Sequence, residues 1–332
     1  MDSFRLVDDA TPLTCVPMIM AHDAGTGYLG DGLVNRWAKT QSVGLADQLS
    51  CGARVFDARP RFLHGQIIWH HGSVAAPYSF SHSVADIVSW LSEHPTELVI
   101  LPISNCDGGD RCLQGVRAAF AEHNVSDVAD CRLLSGLTLG GTKMLAALPR
   151  GGALLGVTGA TKHYGTACSV GNYDPTIACT SALSSALTGN RTVTPPGEEN
   201  LDRADSSDAM TLSQSGSDGF GCWMTDPQRT IPVGRMLRYL DRVASMPLSP
   251  GSFTQSQALW QESVESVVIG TLRNSSLLLD EQNSRLNQLI RQQVLARRWP
   301  HMNLLEVNNV CDGGQELWSA LKHVYYARNV AE

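Results

Sequence analysis

Three short apolar segments near the start of the chain each run directly into charged or titratable side chains, and this feature constrains the fold most. Short apolar segments bounded by Gly and Pro predict buried β-strands. Polar groups gathered where such strands end are typical of the C-terminal rim of a (β/α)8 barrel. The groups are those of an acid–base site with an anion clamp: His22 and Asp23 after segment 17–21, Asp57 and Arg59 after 52–56, and His70 and His71 after 66–69.

The rest of the pattern alternates predicted helices with predicted strands, which favours parallel strand pairing. Strands are predicted at 18–22, 53–59, 66–71, 97–104, 143–148, 253–259 and 303–310. Helices are predicted after Ser42, from a capping box at Ser83 and Asp86 to Pro95, at 116–123, from Pro232, at 263–299 with a break near Asn274, and at 315–328. We therefore predict an α/β fold, a distorted TIM (β/α)8 barrel.

The stretch from 151 to about 226 loses this pattern, because Gly, Ser, Thr, Asn and Asp dominate it and no apolar period is sustained. A chain of 332 residues has room for one large barrel or for two ordinary domains. Because the irregular stretch shows no period of buried positions, we predict a single domain over 1–332 with a long loop excursion at 151–226.

Charge and hydropathy exclude several classes of partner. The formal net charge is −7, so the chain offers no general attraction to nucleic acid or to an anionic membrane surface. An anionic substrate therefore needs local positive groups. No run reaches the roughly 20 apolar residues of a membrane span, and the first residues are too acidic for a secretory signal. A secreted and a cytoplasmic location both stay open, as does the oligomeric state.

The cysteine content leaves the redox compartment open. Nine cysteines are an odd number, so at least one is unpaired within the chain. Cys106 and Cys112 flank a loop rich in Gly and Asp, and they are able to bridge in an oxidising compartment.

Side-chain alternation along the second strand places Asp57 and Arg59 on one face with Val55, and turns Arg54 to the other face. A carboxylate and a guanidinium on one face either form a structural salt bridge or clamp an anion. The pattern of this strand alone supports both interpretations equally.

The histidines are the candidate acid and base. His71 precedes a glycine at a strand end, which suits an imidazole facing a cleft, while His70 points the opposite way. His22 and Asp23, which lie at another predicted strand end and are followed by Ala-Gly-Thr, are candidates for the same reason. Zinc is the rival explanation for clustered His and Asp, but no His-x-x-x-His or Cys-x-x-Cys spacing is present, and Arg59 would repel a cation. We predict a site without metal or other cofactor.

A family resemblance rests on the motifs AHDAGT at 21–26, QLSCGARVFDAR at 48–59, HHG at 70–72 and HPTELVI at 94–100. In this order they closely resemble the X-region of the phosphatidylinositol-specific phospholipases C. The resemblance is dense over residues 15–105 and fades afterwards, although 303–310 again looks like the family's last strand.

The resemblance implies a distorted TIM barrel that cleaves a phosphodiester next to a hydroxyl group. His22 would be the general base for the inositol 2-hydroxyl and His71 the general acid for the diacylglycerol oxygen, with Asp23 and Asp57 assisting. Arg59 stands where calcium-dependent relatives carry a calcium-binding acid, so the arrangement looks like the metal-independent bacterial type. A fixed guanidinium is able to stabilise charge on the equatorial phosphoryl oxygens. The implied partner is a phosphoinositide-type lipid, with transient contact to a membrane surface.

Two positions depart from the family pattern. Asn308 stands where the last strand would supply an acid behind the base histidine, and Asp312 is a poor substitute by strand geometry. Ser104 ends the fourth predicted strand, where bacterial relatives place a lysine that contacts the head group. We take Ser104 and Asn308, with Arg59, as candidate substrate contacts.

The alternative is a catalytically weak or inactive barrel that binds a phosphorylated ligand or a protein partner without turnover. Asn308 and the missing lysine favour this alternative, whereas His22, His71 and Arg59 favour the enzyme. Action at an interface predicts exposed aromatic side chains at the barrel rim, and the candidates are Tyr28, Trp37 and Tyr78.

Overall fold

The computed structural model describes residues 3–160, 169–171, 223–224, 233–245, 253–299 and 301–326. The strands are β1 (Met18–Ala21), β2 (Val55–Phe56), β3 (Pro60–Leu63), β4 (Gln66–His71), β5 (Val74–Ser79), β6 (Leu98–Pro102), β7 (Ser126–Asp127), β8 (Ala153–Val157), β9 (Ser169–Gly171), β10 (Trp223–Met224), β11 (Phe253–Ala258), β12 (Trp260–Gln261) and β13 (Leu304–Val307). The helices are α1 (Asn35–Ala38), α2 (Leu45–Ser50), α3 (Phe80–Glu93), α4 (Asp110–Glu122), α5 (Leu139–Leu145), α6 (Val233–Val243), α7 (Val264–Leu272), α8 (Leu277–Ser284), α9 (Leu286–Leu295) and α10 (Gly314–Leu321).

Eight of the described strands form one parallel sheet in the order β7-β8-β6-β2-β1-β13-β11-β9. β1 lies in the middle of this sheet, between β13 and β2. Every residue of β1, β6, β8 and β13 is buried, as expected for parallel strands that are covered on both faces. A parallel sheet with helices between its strands confirms the predicted α/β class and the distorted barrel.

The predicted third strand does not belong to the barrel sheet, which corrects the sequence-based expectation. β4 pairs antiparallel with β3 and with β5 in a separate three-stranded sheet. The reason is the turn at His64 and Gly65, whose φ angles of 48° and 82° reverse the chain between β3 and β4. The backbone N–H of His70 donates to the Arg59 carbonyl, and this bond holds the small sheet against the end of the second strand.

The strand predicted at 143–148 is wrong, because these residues continue and follow helix α5. The Thr138 side chain caps this helix by accepting a hydrogen bond from the Gly141 N–H at 3.1 Å. The next barrel strand is β8, which starts after the left-handed pair Gly151 and Gly152 and lies within the stretch predicted to be irregular. A short apolar run does not distinguish a buried strand from a helix, and the error follows from that ambiguity.

The start of α3 also differs from the prediction. Ser79 caps the helix, whereas Ser83 lies inside it and accepts a hydrogen bond from Trp69 Nε1 at 2.8 Å. The predicted capping box at Ser83 is therefore wrong. The predicted apolar face is confirmed, because Val84, Ile87 and Leu91 are buried.

The second half of the chain follows the predicted order of helix, strand, interrupted helices, strand and helix. The predicted break near Asn274 is confirmed by its φ of 55°, and a second break follows at Arg285 with a φ of 52°. Most of the predicted excursion lies outside the described residues, so the single-domain assignment stays a prediction. Among the described helices, none combines the length and the apolar character that crossing a bilayer requires.

Two disulfides are present in the part of the chain that the structure describes. Cys106 bonds to Cys112 across the predicted short loop. Cys51 bonds to Cys311 over a separation of 260 residues, with 5.0 Å between their Cα atoms. The second bond joins the end of α2 to the loop after β13, three residues beyond Asn308, and the sequence analysis did not predict it.

Candidate active site

The end of β1 brings two functional side chains into one place. His22 directly follows the strand, and Asp23 has a φ of 43°, in the left-handed region that Asp tolerates better than most residues. The Asp23 N–H donates to Oδ2 of Asp57 at 3.0 Å, which ties the ends of β1 and β2 together. Both carboxylates are buried, at 1% and 0% exposure.

His22 presents one ring nitrogen to the protein interior and the other to the site. Its Nδ1 lies 2.8 Å from Oδ1 of Asn308, while its Nε2 lies 3.2 Å from Arg59 Nη2 and 3.5 Å from Asp23 Oδ2. Burial lowers the pKa of His22, so the imidazole is held neutral near pH 7. A neutral imidazole whose Nε2 faces the site is suited to accept a proton.

Arg59 joins the two carboxylates beside His22. Its Nε lies 2.7 Å from Asp23 Oδ1, and its Nη2 lies 2.8 Å from Asp57 Oδ2. The predicted alternation along this strand is seen, because Arg54 points away from the site and pairs with Glu97 at 2.8 Å. The Arg59 side chain keeps 15% of its surface exposed, whereas both carboxylates are fully buried.

His71 reaches the same carboxylate from the separate small sheet. Its Nδ1 lies 2.7 Å from the Ala38 carbonyl oxygen, and its Nε2 lies 3.5 Å from Asp23 Oδ2. A carbonyl oxygen only accepts, so Nδ1 carries a hydrogen and Nε2 is the atom that exchanges a proton with the site. His70 lies apart, with its Nδ1 3.1 Å from the Gly72 carbonyl oxygen.

The structure therefore brings His22, Asp23, Asp57, Arg59 and His71 together, although they come from three separate segments. Both histidines direct Nε2 toward one oxygen of Asp23. The arrangement is able to take a proton from one group, give a proton to another, and hold a negative charge between them. The roles assigned to the five residues stay predictions.

The two departures from the family pattern occupy supporting positions. Ser104 donates its hydroxyl hydrogen to Asp57 Oδ1, and Asn308 faces His22. Both side chains are thus engaged with residues of the site, and their contact with substrate stays a prediction.

One set of metal-ligating side chains is present among the described residues. His22, Asp57 and Glu306 have ligand atoms within 4.8 Å of one another, and all three are buried. The Arg59 guanidinium contacts His22 and Asp57, and its positive charge opposes the binding of a metal cation at the same place. Burial raises the pKa of Glu306 to about 8, which favours its neutral form at pH 7. This donor set fits a metal poorly, and a metal-free site stays a prediction.

The sequence analysis missed three buried or half-buried acids around the site. Glu306 interrupts the apolar strand β13, and its position in that strand is a signal that was available. Glu262 follows β12 and lines the cleft beside His71. Glu281 lies on α8 behind Asn308, and no local pattern in the sequence indicates its role.

Comparison with known proteins gives a local match in sequence. No family model matches the chain. Two curated relatives, each a 1-phosphatidylinositol phosphodiesterase from a strain of Staphylococcus aureus, are 32% identical to it over 119 residues, or 35% of this chain. The chain spans well under half of these relatives, because the matched part covers 38% and 36% of their length.

Solved structures match over nearly the whole chain. A mutant of phosphatidylinositol-specific phospholipase C from Staphylococcus aureus covers 96% of this chain and 97% of its own length, with a TM-score of 0.56 and 14% identity. The enzyme from Listeria monocytogenes covers 96% and 99%, with a TM-score of 0.53 and 13% identity. The fold is that of the bacterial phosphatidylinositol-specific phospholipases C. The family resemblance predicted from the motifs is thus confirmed.

This phospholipase C fold explains why the site lies at one rim of the barrel. β1 and β2 run parallel, so their C-terminal ends deliver His22, Asp23, Asp57 and Arg59 to the same edge. The small antiparallel sheet then brings His71 over this edge.

Proposed function

We propose that the chain is a metal-independent phosphodiesterase of the phospholipase C type that cleaves phosphatidylinositol or a related inositol phospholipid. The observation that carries the proposal is the convergence of two imidazole Nε2 atoms, each 3.5 Å from Asp23 Oδ2, beside a guanidinium. The similarity to 1-phosphatidylinositol phosphodiesterases supports the same reaction.

In the proposed reaction the inositol 2-hydroxyl attacks phosphorus while Nε2 of His22 takes the hydroxyl proton. The bond between phosphorus and the diacylglycerol oxygen breaks, and His71 gives a proton to that oxygen. The products are a cyclic inositol phosphate and diacylglycerol. Arg59 stabilises the negative charge on the equatorial phosphoryl oxygens, and Asp23 and Asp57 hold the guanidinium in place.

The neutral state of His22 and the fixed orientation of both rings suit these roles, and in the proposed step His71 starts with a hydrogen on both ring nitrogens and gives the one on Nε2. The Asn308 amide oxygen and the Ala38 carbonyl oxygen each accept from an Nδ1–H, so both rings present Nε2 to the substrate. Because the two rings face one site, they are able to exchange roles when water opens the cyclic phosphate.

An apolar rim beside His71 supports contact with a lipid surface. A cleft of about 380 Å³ is lined by His71 and Glu262 and by apolar side chains that include Leu33 and Val34. Leu33 and Val34 are 63% and 68% exposed. Helix α7 lines the same cleft with Val267 and Thr271, and it carries three exposed aliphatic residues, namely Val264, Val268 and Leu272. Membrane binding has also been modulated in the Staphylococcus aureus enzyme. We propose that this cleft receives the diacylglycerol part.

The composition of this rim differs from the sequence-based expectation of exposed aromatic side chains. Trp37 is buried, and its Nε1 donates to Thr271 at 2.9 Å. Tyr28 and Tyr78 are half-buried and stack on each other with 3.9 Å between ring centroids. Aliphatic side chains take the exposed positions instead.

Binding of a phosphorylated ligand without turnover is the second candidate function. This alternative is favoured by the contacts of Arg59. Two buried carboxylates already contact the guanidinium, and their negative charge weakens its attraction for a phosphate. Under this alternative, the histidines shape a binding pocket and transfer no proton.

Hydrolysis of phosphatidylinositol in vesicles, with a chelator present, separates the two functions. We expect wild type to release water-soluble inositol phosphate, and His22→Gln and His71→Gln to lower the rate by at least about 100-fold. His301→Gln is the control, because His301 is exposed on the chain segment before β13. Equal release by wild type, His22→Gln and His301→Gln would refute the proposal, and so would a lack of release on every phosphodiester tried.

A further inference from the structure

A buried chain of polar groups stands behind the proposed catalytic base. Asn308 follows β13 and is fully buried. Its Oδ1 lies 2.8 Å from His22 Nδ1, and its Nδ2 lies 2.8 Å from the Trp260 carbonyl oxygen and 2.7 Å from Glu281 Oε1. The Trp260 N–H also donates to Glu281 Oε1, at 2.9 Å. Glu281 itself is only 3% exposed.

These contacts decide which way the Asn308 amide faces. The Trp260 carbonyl accepts only, and Glu281 Oε1 already accepts from the Trp260 N–H, so both groups require the amide NH2 on their side. The amide oxygen must then face His22, where it accepts from Nδ1–H. His22 Nε2 is left without a hydrogen whenever the ring is neutral.

An asparagine at this position is able to hold the imidazole in a tautomer that cannot act as a general base. When an amide replaces the acid behind a catalytic histidine, its NH2 group can face the ring and select the wrong tautomer, and in serine proteases this costs about 10,000-fold in kcat. In this protein the acid Glu281 lies beyond Asn308, so the amide stands between the carboxyl group and the imidazole. The order of groups is imidazole, amide and carboxyl, from His22 through Asn308 to Glu281.

We propose that Glu281 is a positioning residue for His22, because it holds the Asn308 amide in one orientation together with the Trp260 carbonyl. This inference rests on the proposed function for its effect on catalysis. Its effect on the His22 tautomer exists with or without turnover, so the two are tested separately.

Substitutions of Glu281 give the first test. Glu281→Gln keeps an amide oxygen able to accept from Asn308 and Trp260, and we expect it to retain most of the wild-type kcat. Glu281→Leu removes the acceptor, and we expect kcat to fall by about 10- to 100-fold with a smaller change in KM. Asp280→Asn is the matched control, because Asp280 is an acid on the same helix that accepts from Ser275 rather than from Asn308.

The ring nitrogens of His22 provide a readout that a merely structural role would not move. In protein labelled with 15N-histidine, and with His22→Gln to assign the signals, wild type should show a protonated Nδ1 and a bare Nε2 for the neutral ring. Glu281→Leu should shift part of the population to the other tautomer, while Glu281→Gln and Asp280→Asn should not.

The inference is overturned if Glu281→Leu keeps the wild-type tautomer and kcat. If wild type cleaves no phosphodiester, the proposed function fails. The tautomer comparison between Glu281→Leu and Glu281→Gln still decides whether Glu281 positions His22.

Discussion

Removal of the Arg59 guanidinium should cost both stability and turnover, and the structure allows the stability loss to be estimated. Arg59 contacts two fully buried carboxylates, Asp23 at 2.7 Å and Asp57 at 2.8 Å. Removing one partner of a buried ion pair costs about 3–5 kcal/mol, because the remaining charge stays buried without compensation. Arg59→Met should therefore lower the free energy of unfolding at pH 7 by about this amount, a large part of the typical 5–15 kcal/mol of a domain.

Urea unfolding of wild type and Arg59→Met at pH 7 measures this loss. The matched control is Arg298→Met, because Arg298 pairs with Asp241 at the same 2.8 Å, but their side chains are 57% and 32% exposed. The control should lose no more than about 1 kcal/mol. Equal losses of unfolding free energy in Arg59→Met and Arg298→Met would refute the claim that Arg59 compensates the charge of two buried carboxylates.

Three further predictions concern pH, the disulfides and the apolar rim. Burial raises the pKa of Glu306 to about 8 from an ordinary value of 4.5, so wild type should lose stability as the pH rises from 4.5 to 8. Glu306→Gln should remove this loss, by up to about 1.4 kcal/mol per pH unit in urea titrations, and parallel profiles would contradict it. Cys51→Ser opens a loop of 260 residues and should lower the free energy of unfolding by about 5 kcal/mol. Cys106→Ser opens a loop of 6 residues and should lower it by about 2 kcal/mol. Equal losses would contradict the dependence on loop length. Leu33→Ser should weaken sedimentation with phosphatidylinositol vesicles by about tenfold, which corresponds to about 1.5 kcal/mol of lost burial. Met144→Ser should not, although Met144 is even more exposed, at 78% against 63% for Leu33.

The part of the site on β1 and β2 was predictable from the sequence. Alternation along one strand places Asp57 with Arg59, and parallel pairing puts His22 and Asp23 at the same edge. Local rules suffice here because each side chain lies within three residues of the end of a buried strand.

The position of His71 at a strand end was predicted correctly, but the sheet to which that strand belongs was predicted wrongly. The end of its strand was predictable, but the pairing of β4 depends on the hairpin turn at His64 and Gly65, which the sequence analysis did not recognise. The same kind of error replaced α5 by a strand, because a short apolar run fits both structures.

Contacts between distant parts of the chain were not predictable. The Cys51–Cys311 bond spans 260 residues, and nine cysteines permit many pairings. Glu281 lies 27 residues before Asn308, with helix α9 and strand β13 between them, and no periodicity marks it as part of the site. Such groups become visible only when the barrel brings their elements together.

Phosphorus NMR of phosphatidylinositol incubated with the protein in excess chelator tests the central claim most directly. If His22 and His71 transfer protons around a phosphate held by Arg59, the first new signal should be that of a five-membered cyclic inositol phosphate, formed at the same rate with and without added calcium. An absence of this cyclic product, or its formation only after a divalent cation is added, would contradict the account.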